Sequence, residues 1–235
     1  MLMRRPRRRF AVRRNIAGTG DATMVLMHAS IPLSRRIRPS ILYFGTPVLL
    51  IATRNEDGSA NLTPMSSAWA LADRVVLGLA DGGQGLANLR RERECTLNVV
   101  APAQWRAVEA LAPTTGHDPV PGWKSGYRHV ADKFALAGLT RLPSEQVRPP
   151  RVAECPLQME ARVAAWHERS LDAWQDGAGG FVTIEVEVLR VHAHEDATID
   201  GSDHIDARRF RPLLYVFRHY VGAGPALGRT FKAEV

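Results

Sequence analysis

The chain has 235 residues, of which 45% are hydrophobic and 23% are charged, and it carries a formal net charge of +7. This composition excludes a disordered or fibrous protein, and the length allows one large domain with a substantial core. Residues 1–40 hold ten arginines and one acidic residue, so the rest of the chain is slightly acidic. The sequence pI near 10.1 therefore gives no reason to expect a nucleic-acid-binding body.

Residues 1–36 are predicted to form a basic, disordered leader, and residues 37–235 are predicted to form one domain. A nucleic-acid arm, a transit peptide and an upstream start that the mature protein does not use are alternatives for this leader, with Met24 and Met27 as candidate starts. The run behind the arginines contains Asp21 and two glycines and is too short and too mixed to span a bilayer. We therefore expect a soluble protein without a membrane partner.

The first part of the body is predicted to be β-structure. Residues 47–53 (PVLLIAT) form a short apolar run rich in branched side chains and predict a buried strand, followed by the hairpin signal Asp57-Gly58. The chain then returns as a second strand over residues 60–73, and residues 74–80 (RVVLGLA) predict a third strand.

Helical signals come next along the chain. The stretch DGGQGLANLRRERE predicts a glycine-rich loop and a short helix with arginines at its C-terminal end, where cations interact favourably with the helix dipole. Residues 95–100 (CTLNVV) alternate as a fourth strand. Residues 102–112 (PAQWRAVEALA) space Trp105, Val108 and Leu111 as in an amphipathic helix.

Residues 112–147 form a long connection that contains several glycines and prolines. A loop of this length in a compact domain is usually functional or dynamic, and a lid is one interpretation. Two long strands follow, over residues 151–168 and 180–196. Six strands with short helices between them predict a mainly β fold, a six-stranded antiparallel β-barrel with helical insertions.

The stretch ANLTPMSSAWAL (residues 60–71) is unusual for a core strand. Pro64 has no N–H to donate, so it predicts a break or bulge in the strand. The backbone groups released there and the hydroxyls of Thr63, Ser66 and Ser67 need hydrogen-bond partners. A planar heteroaromatic ligand with carbonyl and N–H edges is one candidate partner, and a structural bulge satisfied by neighbouring strands or water is the other.

The stretch ADGGQGLANL (residues 80–89) is a second candidate binding segment. Glycines let the backbone approach a ligand closely, and the N–H groups at a helix N-terminus attract a phosphate. The glycine spacing matches neither the dinucleotide fingerprint nor the P-loop, so the signal is weak when taken alone.

Neither the histidines nor the cysteines predict a metal site. His192 and His194 lie on one face of a predicted strand, with His204 as a third candidate ligand, but no tight ligand cluster surrounds them. Cys95 and Cys155 are too few and too far apart for a disulfide framework or a zinc site. We expect solvated or hydrogen-bonded imidazoles and two buried, reduced thiols, as suits a cytoplasmic protein. Hydrolase chemistry has no support, because the G-x-S-x-G motif is absent.

Four stretches taken together resemble the flavin reductase-like family, the FMN-binding split β-barrel proteins. They are ILYFGTPVLLIATRNEDGSANLTPMSSAWALADRVVLGLA, NLRRERECTLNV, DKFALAGLTRLPSEQVRPPRVAECPLQME and VEVLRVHAHED. The likeness runs from about Ile41 to around Tyr220 and is specific in the order of its motifs. It implies a six-stranded barrel of Greek-key type, usually a homodimer, with FMN held at the rim near the dimer interface.

The resemblance also implies which residues contact the cofactor. By position in the family pattern, they are Thr63, Pro64, Met65, Ser66 and Ser67 along the isoalloxazine and ribityl chain; Ala80, Asp81, Gly82, Gly83, Gln84, Gly85 and Asn88 near the phosphate; Asn98 at the end of a strand; and Lys133 with Phe134 in a loop near the cofactor. His192 matches a position on the late strand where many relatives carry a histidine, and the resemblance implies that it faces the nicotinamide side. No metal is implied.

The chain departs from the family pattern at the phosphate segment. Many relatives have serines, threonines or a lysine where this chain has residues 81–85, so bare backbone replaces hydroxyl and charge contacts there. Asp81 is expected to repel a phosphate unless its side chain turns away to cap the helix.

The resemblance implies an NAD(P)H-dependent flavin reductase. Hydride passes from NADH or NADPH to N5 of FMN, and the reduced flavin is supplied to a partner monooxygenase or passes its electrons onward. The cofactor carries this chemistry, so no side chain is required as an acid or base. The alternative is a non-catalytic flavin-binding or flavin-storage protein of the same fold. A nucleic-acid binder that works through the leader is disfavoured because the body has no basic face by composition.

Overall fold

The computed structural model describes residues 33–169 and 180–230 of the chain. By internal contacts the chain divides into Met1–Pro39 and Ser40–Val235, and every element described below belongs to the second unit. Apart from residues 33–36, the predicted leader lies outside the described residues.

The described residues form short strands, two long strands and a few short helices. The strands are β1 (Phe44–Pro47), β2 (Leu49–Arg54), β3 (Ala60–Met65), β4 (Ala68–Leu71), β5 (Arg74–Ala80), β6 (Glu94–Val99), β7 (Thr114–Thr115), β8 (Arg128–His129), β9 (Arg141–Leu142), β10 (Arg151–Val152), β11 (Leu157–Arg169), β12 (Phe181–Ala193), β13 (Leu213–Val216) and β14 (His219–Gly222). The α-helices are α1 (Gln84–Glu92), α2 (Trp105–Leu111) and α3 (Lys133–Ala137), and 3-10 turns cover Pro102–Gln104, Gly122–Lys124 and Glu195–Ala197.

The main sheet is antiparallel throughout, with the strand order β3-β2-β6-β11-β12-β5-β4. Its two edge strands, β3 and β4, are joined by Ser66 and Ser67 alone. A linker of two residues spans no more than about 11 Å between the flanking Cα atoms, so the sheet must curl until its edges nearly meet. The result is a barrel that is split between β3 and β4.

The mainly β, split-barrel fold is confirmed, but the strand count differs from the predicted six. The strand predicted over residues 60–73 is broken at Ser66 and Ser67, which makes seven strands in the described part of the main sheet. The break or bulge predicted at Pro64 is therefore misplaced: Pro64 pairs in regular register with Leu50. It lies in edge strand β3, where no further strand requires its N–H.

A small sheet of β1, β13 and β14 was not predicted from the sequence. The β13–β14 hairpin turns at Phe217 and Arg218, which have φ angles of 42° and 69°. A two-residue turn with positive φ at both positions normally carries Asn or Gly, so this hairpin lacks the usual sequence signal.

Both faces of β2 are buried, which creates two apolar clusters. Leu49 and Ile51 pack inside the barrel, together with the buried side chains Leu77, Leu97 and Ile184. Leu50 and Ala52 pack on the other face, against the buried side chains Leu62, Val108, Leu111 and Phe134 of β3, α2 and α3. The helix predicted over residues 102–112 is confirmed as a 3-10 turn followed by α2, which covers this second face.

The long connection over residues 112–147 is folded. It contains β7 and β8, which pair in parallel, the 3-10 turn, α3 and β9. The helix α3 is capped at each end: the Asp132 side chain accepts a hydrogen bond from the N–H of Ala135, and Gly138 takes the left-handed conformation.

Both cysteines are buried free thiols, as predicted. Burial, assisted by neighbouring carboxylates, raises the pKa of each thiol to about 12, so both are protonated at neutral pH. Within residues 33–169 and 180–230, no helix has the length and apolarity needed to cross a membrane.

Candidate functional site

A cavity of about 480 Å³ lies at the split of the barrel. This volume falls in the range typical of small-molecule sites. Most of its wall comes from the end of β3 with the β3–β4 link, the end of β5 with the start of α1, and the connection between α2 and α3 with the residue before it, and Tyr43 and Tyr215 complete the wall. The lining residues are Tyr43, Thr63, Pro64, Met65, Ser66, Ser67, Gly78, Leu79, Ala80, Gly83, Gln84, Gly85, Leu86, Leu111, Ala112, Thr114, Thr115, Gly116, Lys124, Tyr127, Lys133 and Tyr215.

The β3–β4 link is fixed at Ser67. Its hydroxyl lies 2.6 Å from the hydroxyl of Tyr43, and its carbonyl accepts a hydrogen bond from the N–H of Gly78 at 2.7 Å. A Cβ atom at position 78 would stand 3.1 Å from the Cβ of Ser67, so a glycine lets the link lie close to β5. The break in the strand is thus held by protein contacts, and Ser66 and Ser67 both face the cavity.

The N-terminus of α1 opens into the cavity. Its N-cap residue, Gly83, makes no side-chain hydrogen bond, and the first turn holds no acidic residue. The N–H of Ala87 donates the first hydrogen bond of the helix, to the carbonyl of Gly83. The N–H groups of Gln84 and Gly85 come before it and therefore have no acceptor within the helix. A Cβ at Gly85 would lie 2.5 Å from Oγ1 of Thr63, which places that hydroxyl directly against the first turn.

Asp81 does not cap this helix. Its Oδ1 atom accepts a hydrogen bond from the N–H of Gly82 at 2.8 Å and lies 3.6 Å from Nη2 of Arg90. The carboxylate is not among the cavity-lining groups, so the expected repulsion of an anion is reduced by its position and by the neighbouring arginine.

Two lysines line the cavity. Lys133, at the start of α3, is buried, and its Nζ atom donates a hydrogen bond to the carbonyl of Leu62 at 2.9 Å. Burial, followed by the positive charge of Lys124, lowers the pKa of Lys133 to about 8. Lys124 lies 5.0 Å from the ring centroid of Trp123 and 5.4 Å from that of Tyr127, and burial lowers its pKa. None of the described lining residues is acidic, so the cavity favours an anion.

Asn61 leaves an acceptor without a partner beside the cavity. The residue is 1% exposed, and its Nδ2 atom donates to Oγ1 of Thr53 and Thr63. Its Oδ1 atom is buried and has no hydrogen-bond partner among the described residues. A Cβ at Gly116, which lines the cavity, would be 2.9 Å from that oxygen. An unpaired buried acceptor is costly, but Asn61 is not a lining residue and its Oδ1 atom is buried, so a ligand in the cavity does not reach this oxygen in the structure.

Asn88 and Asn98 have structural hydrogen bonds. The Nδ2 atom of Asn88 donates to Thr53 and Asn55, which ties α1 to the β2–β3 hairpin. The Nδ2 atom of Asn98 donates to the carbonyl of Leu50, and its Oδ1 atom accepts from the N–H of Val152. Neither residue lines the cavity.

Phe134 and Gly82 also lie outside the lining. Phe134 is fully buried in the cluster under α3, with the guanidinium of Arg141 4.6 Å from its ring centroid. Gly82 lies in the loop immediately before the N-cap of α1 and packs against Trp123. The remaining predicted contacts, at positions 63–67, 80, 83–85 and 133, are brought together around the cavity.

His192 is placed away from the cavity. Its Nε2 atom lies 2.7 Å from Oε1 of Glu160. Phe181 pairs with the cavity-lining residue Ala80, and His192 follows eleven residues later on β12, roughly 36 Å along an extended strand. His194 donates to the carbonyl of Ala153. Among the described residues, no group of three or more His, Cys, Asp or Glu side chains is arranged to hold a metal ion.

Several lining residues were not predicted from the sequence. They are Tyr43, Gly78, Leu79, Leu86, Leu111, Ala112, Thr114, Thr115, Gly116, Lys124, Tyr127 and Tyr215. The stretch GWKSGY in the long connection carried the one local signal, a lysine flanked by aromatic residues. Tyr43 and Tyr215 reach the cavity only because the small sheet folds against the split, and no sequence pattern announces that contact.

Comparisons with known proteins agree with this geometry. Residues 41–224 match the model of the flavin reductase like domain. A Bacillus subtilis (strain 168) protein, YdfE, is 40% identical over 202 residues, which cover 85% of this chain and 94% of that relative. A protein of Methanothermobacter thermautotrophicus is 22% identical over 173 residues, covering 72% of this chain and 74% of the relative.

Solved structures show the same fold. Flavoredoxin of Desulfovibrio vulgaris (Miyazaki F) superposes with a TM-score of 0.68 at 20% identity, covering 86% of this chain and 99% of that one. Nitrilotriacetate monooxygenase component B from Bacillus cereus superposes with a TM-score of 0.63 at 18% identity, covering 82% of this chain and 90% of that one. The NADH:FAD oxidoreductase SgcE6 of Streptomyces globisporus C-1027 superposes with a TM-score of 0.54 at 14% identity, covering 77% of this chain and 88% of that one.

Proposed function

Because the chain belongs to the flavin reductase-like family, we propose that its cavity binds FMN and that the protein is an NAD(P)H-dependent flavin reductase. The observation that carries this proposal is the cavity at the split of the barrel. It has room for a small ligand, it has two lysines and no described acidic group in its wall, and a helix N-terminus faces into it.

The phosphate of FMN fits the end of the cavity at α1. The N–H groups of Gln84 and Gly85 are free to bind an anion, and the hydroxyl of Thr63 lies against the same turn. Lys124 and Lys133 supply positive charge from the connection between α2 and α3. Hydroxyl and charge contacts that the glycine-rich segment lacks are thus available from other elements of the fold.

The isoalloxazine ring is proposed to lie along the β3–β4 link. Ser66 and Ser67 are small residues there, and the hydroxyl of Tyr43, which also lines the cavity, is hydrogen-bonded to that of Ser67. Exposed backbone at a broken strand offers the N–H and C=O groups that the polar edge of a flavin requires.

FMN bound in this cavity would supply the redox chemistry, since its N5 atom accepts a hydride from NADH or NADPH. The side chains of this chain hold and orient the two rings and exclude water. The positive charge of Lys133 favours a bound anion while the amine is protonated. No proton has to pass through a side chain, in keeping with the absence of carboxylates from the described cavity wall.

We further propose that the protein acts in the cytoplasm as a homodimer and supplies reduced flavin to a partner monooxygenase. The structural likeness to nitrilotriacetate monooxygenase component B supports a role of this class. Edge strands β1 and β4 expose Phe44, Trp69 and Leu71, with 78%, 58% and 70% of their surface accessible, which supports an interface between two copies.

The test is an anaerobic visible spectrum of the full chain with bound FMN, recorded before and after addition of NADH or NADPH. We expect the flavin absorbance to bleach with one of the two donors at a rate well above that of free FMN. FMN binding without faster bleaching would overturn the reductase and leave a flavin-storage protein. Failure to bind FMN would overturn both.

A further inference from the structure

The segment over residues 114–129, here called the cover, forms part of the cavity wall beside α1. It joins the cavity wall at Thr114, Thr115 and Gly116 and again at Lys124 and Tyr127. A Cβ at Gly116 would lie 2.7 Å from Cγ of Gln84, so the cover passes directly over the first turn of α1. This part of the wall therefore lies at the end of the cavity where α1 begins.

Trp123 packs against the loop before α1. A Cβ at Gly82 would lie 2.6 Å from Cζ2 and 3.0 Å from Cη2 of the indole, so the ring packs on the bare backbone of that glycine. Gly82 has a φ angle of +72° and immediately precedes Gly83, the N-cap of α1. The indole thus stands beside the helix N-terminus, outside the lining of the cavity.

Hydrogen bonds hold the cover in this position. The Nε2 atom of His117 lies 3.0 Å from the carbonyl of Gly82, and the Nδ1 atom of His129 lies 3.0 Å from the carbonyl of His117. Since carbonyl oxygens only accept, both imidazole nitrogens act as donors in these contacts. A group that leaves the cavity past α1 would have to displace the indole and break the bond to Gly82.

We propose that Trp123, packed on Gly82, makes the protein select a flavin that ends in a phosphate, FMN, over one whose phosphate is esterified to a second nucleotide, FAD. This inference rests on the proposed function, since it assumes that the flavin phosphate lies at α1. Two features act in the same direction. The indole on Gly82 stands in the path of an adenylate that continues past α1, and the two lysines with the helix N-terminus favour the dianion of a phosphate monoester over the single charge on each phosphate of FAD.

The test compares the dissociation constants of FMN and FAD for the full chain by equilibrium dialysis at pH 7. We expect the wild-type protein to bind FMN at least tenfold more tightly than FAD. Trp123→Ala should tighten FAD binding and bring the two constants within about threefold, and Trp123→Phe should give an intermediate ratio. Trp105→Ala, which removes a tryptophan outside the cavity lining, is the matched control and should keep the wild-type ratio.

Gly82→Ala provides a second route to the same result. The added methyl group collides with the indole and should push it aside, so this variant should also lose selectivity although it keeps the tryptophan. Thermal unfolding of each variant checks that it remains folded.

Equal FMN and FAD affinities in the wild-type protein would overturn the selection. An unchanged ratio in both Trp123→Ala and Gly82→Ala would also overturn it, while the proposed function would stand. Failure of the wild-type protein to bind either flavin would instead overturn the proposed function.

Discussion

Two buried polar regions of this protein differ in how completely their hydrogen bonds are satisfied. On the outer face of the main sheet, Glu160 is fully buried and accepts from the backbone N–H groups of Glu145, Gln146 and Val147 and from His192. Burial alone would raise the pKa of Glu160, but these donors hold it below its ordinary value.

The cavity is the opposite case. Lys133 has three N–H donors and one described acceptor, the carbonyl of Leu62. The first N–H groups of α1 have no intrahelical partner. Hydrogen-bonding groups that are paired within the protein stabilise the fold. Hydrogen-bonding groups that have no protein partner at a cavity wall are available to a ligand. The cluster around Glu160 is therefore expected to govern stability, and the cavity is expected to govern binding.

Glu160→Ala tests the stability side of this comparison and should have the largest effect. Its loss leaves buried N–H groups without an acceptor, so we expect the free energy of unfolding to fall by about 3 kcal/mol, as measured by urea denaturation. FMN affinity, measured where the variant is still folded, should stay within about twofold of wild type. Glu154→Ala, which removes an exposed carboxylate that accepts from one backbone N–H, is a control with a smaller expected loss. A tenfold fall in FMN affinity for the folded Glu160 variant would contradict the separation.

Lys133→Met tests the binding side and should separate stability from affinity. At pH 7 the buried ammonium costs stability because its folded pKa, about 8, lies below the unfolded value of 10.5. Removing it should stabilise the free protein by about 2 kcal/mol after the loss of one hydrogen bond, while FMN affinity should fall about 100-fold. Urea denaturation and dialysis measure the two effects. Lys124→Met, at a less buried amine, should stabilise less. Unchanged FMN affinity in Lys133→Met would remove this lysine from the site.

The pH dependence of FMN binding sharpens the role of the same residue. Lys133 in the free protein is protonated below a pKa of about 8, so FMN affinity should be full below that pH and should weaken by up to about tenfold per pH unit above it. Over the same interval, from about 8 to 10.5, the unfolded chain holds the proton that the folded chain has lost, so the contribution of Lys133 to stability should rise with pH. Lys133→Arg should flatten the binding profile. A profile identical in wild type and Lys133→Arg would show that another group titrates.

Gly85→Ala should weaken binding without unfolding the protein. The new Cβ would be 2.5 Å from Oγ1 of Thr63, so that hydroxyl must turn away from the first turn of α1. We expect FMN affinity to fall about tenfold by dialysis, with little change in melting temperature because alanine favours a helix. Gly122→Ala is the matched control, since its Cβ would meet nothing within 4 Å. Equal affinities for the two variants would mean that the ligand does not use this turn.

Tyr43→Phe should have the smallest effect. It removes the hydroxyl that holds Ser67 at 2.6 Å and leaves the ring packed edge-on against Tyr215. We expect about a threefold loss of FMN affinity, because the β3–β4 link keeps its backbone bond to Gly78. Titration of FMN against this variant and wild type at one pH checks the value, and a loss above about 30-fold would mean that the Tyr43 hydroxyl contacts the flavin itself.

The sequence predicts the barrel well because β5 and the first half of β12 alternate buried and partly exposed residues, β2 is a short apolar run, and the turns carry strong signals. Asp57-Gly58 closes the first hairpin as predicted, with the N–H of Gly58 bonded to the carbonyl of Asn55. The same logic fails for β13 and β14, whose turn uses Phe217 and Arg218 at positive φ. Local rules cannot identify a turn whose strain is offset by tertiary contacts.

Prediction of the site is strong where one segment supplies the contacts and weak where the fold assembles them. The β3–β4 link and the first turn of α1 were identified as candidate segments from the hydroxyl-rich stretch after Asn61, the glycines and the family resemblance, although the strand breaks at Ser66 and Ser67 and not at Pro64. Lys124 was not identified from the sequence, because it lies in a connection without hydrophobic periodicity. Its position at the cavity depends on the cover folding over α1. Asn98 matches the family pattern, yet its amide holds β2 and β10 together, because a buried amide finds its partners in the nearest backbone.

The most direct test of the central claim compares FMN with riboflavin, which lacks only the phosphate. If the free donors of α1 and the two lysines bind that phosphate, the wild-type chain should bind FMN at least 30-fold more tightly than riboflavin at pH 7, and Lys133→Met should lose most of this difference. Equal affinities for FMN and riboflavin in the wild-type protein would contradict the account.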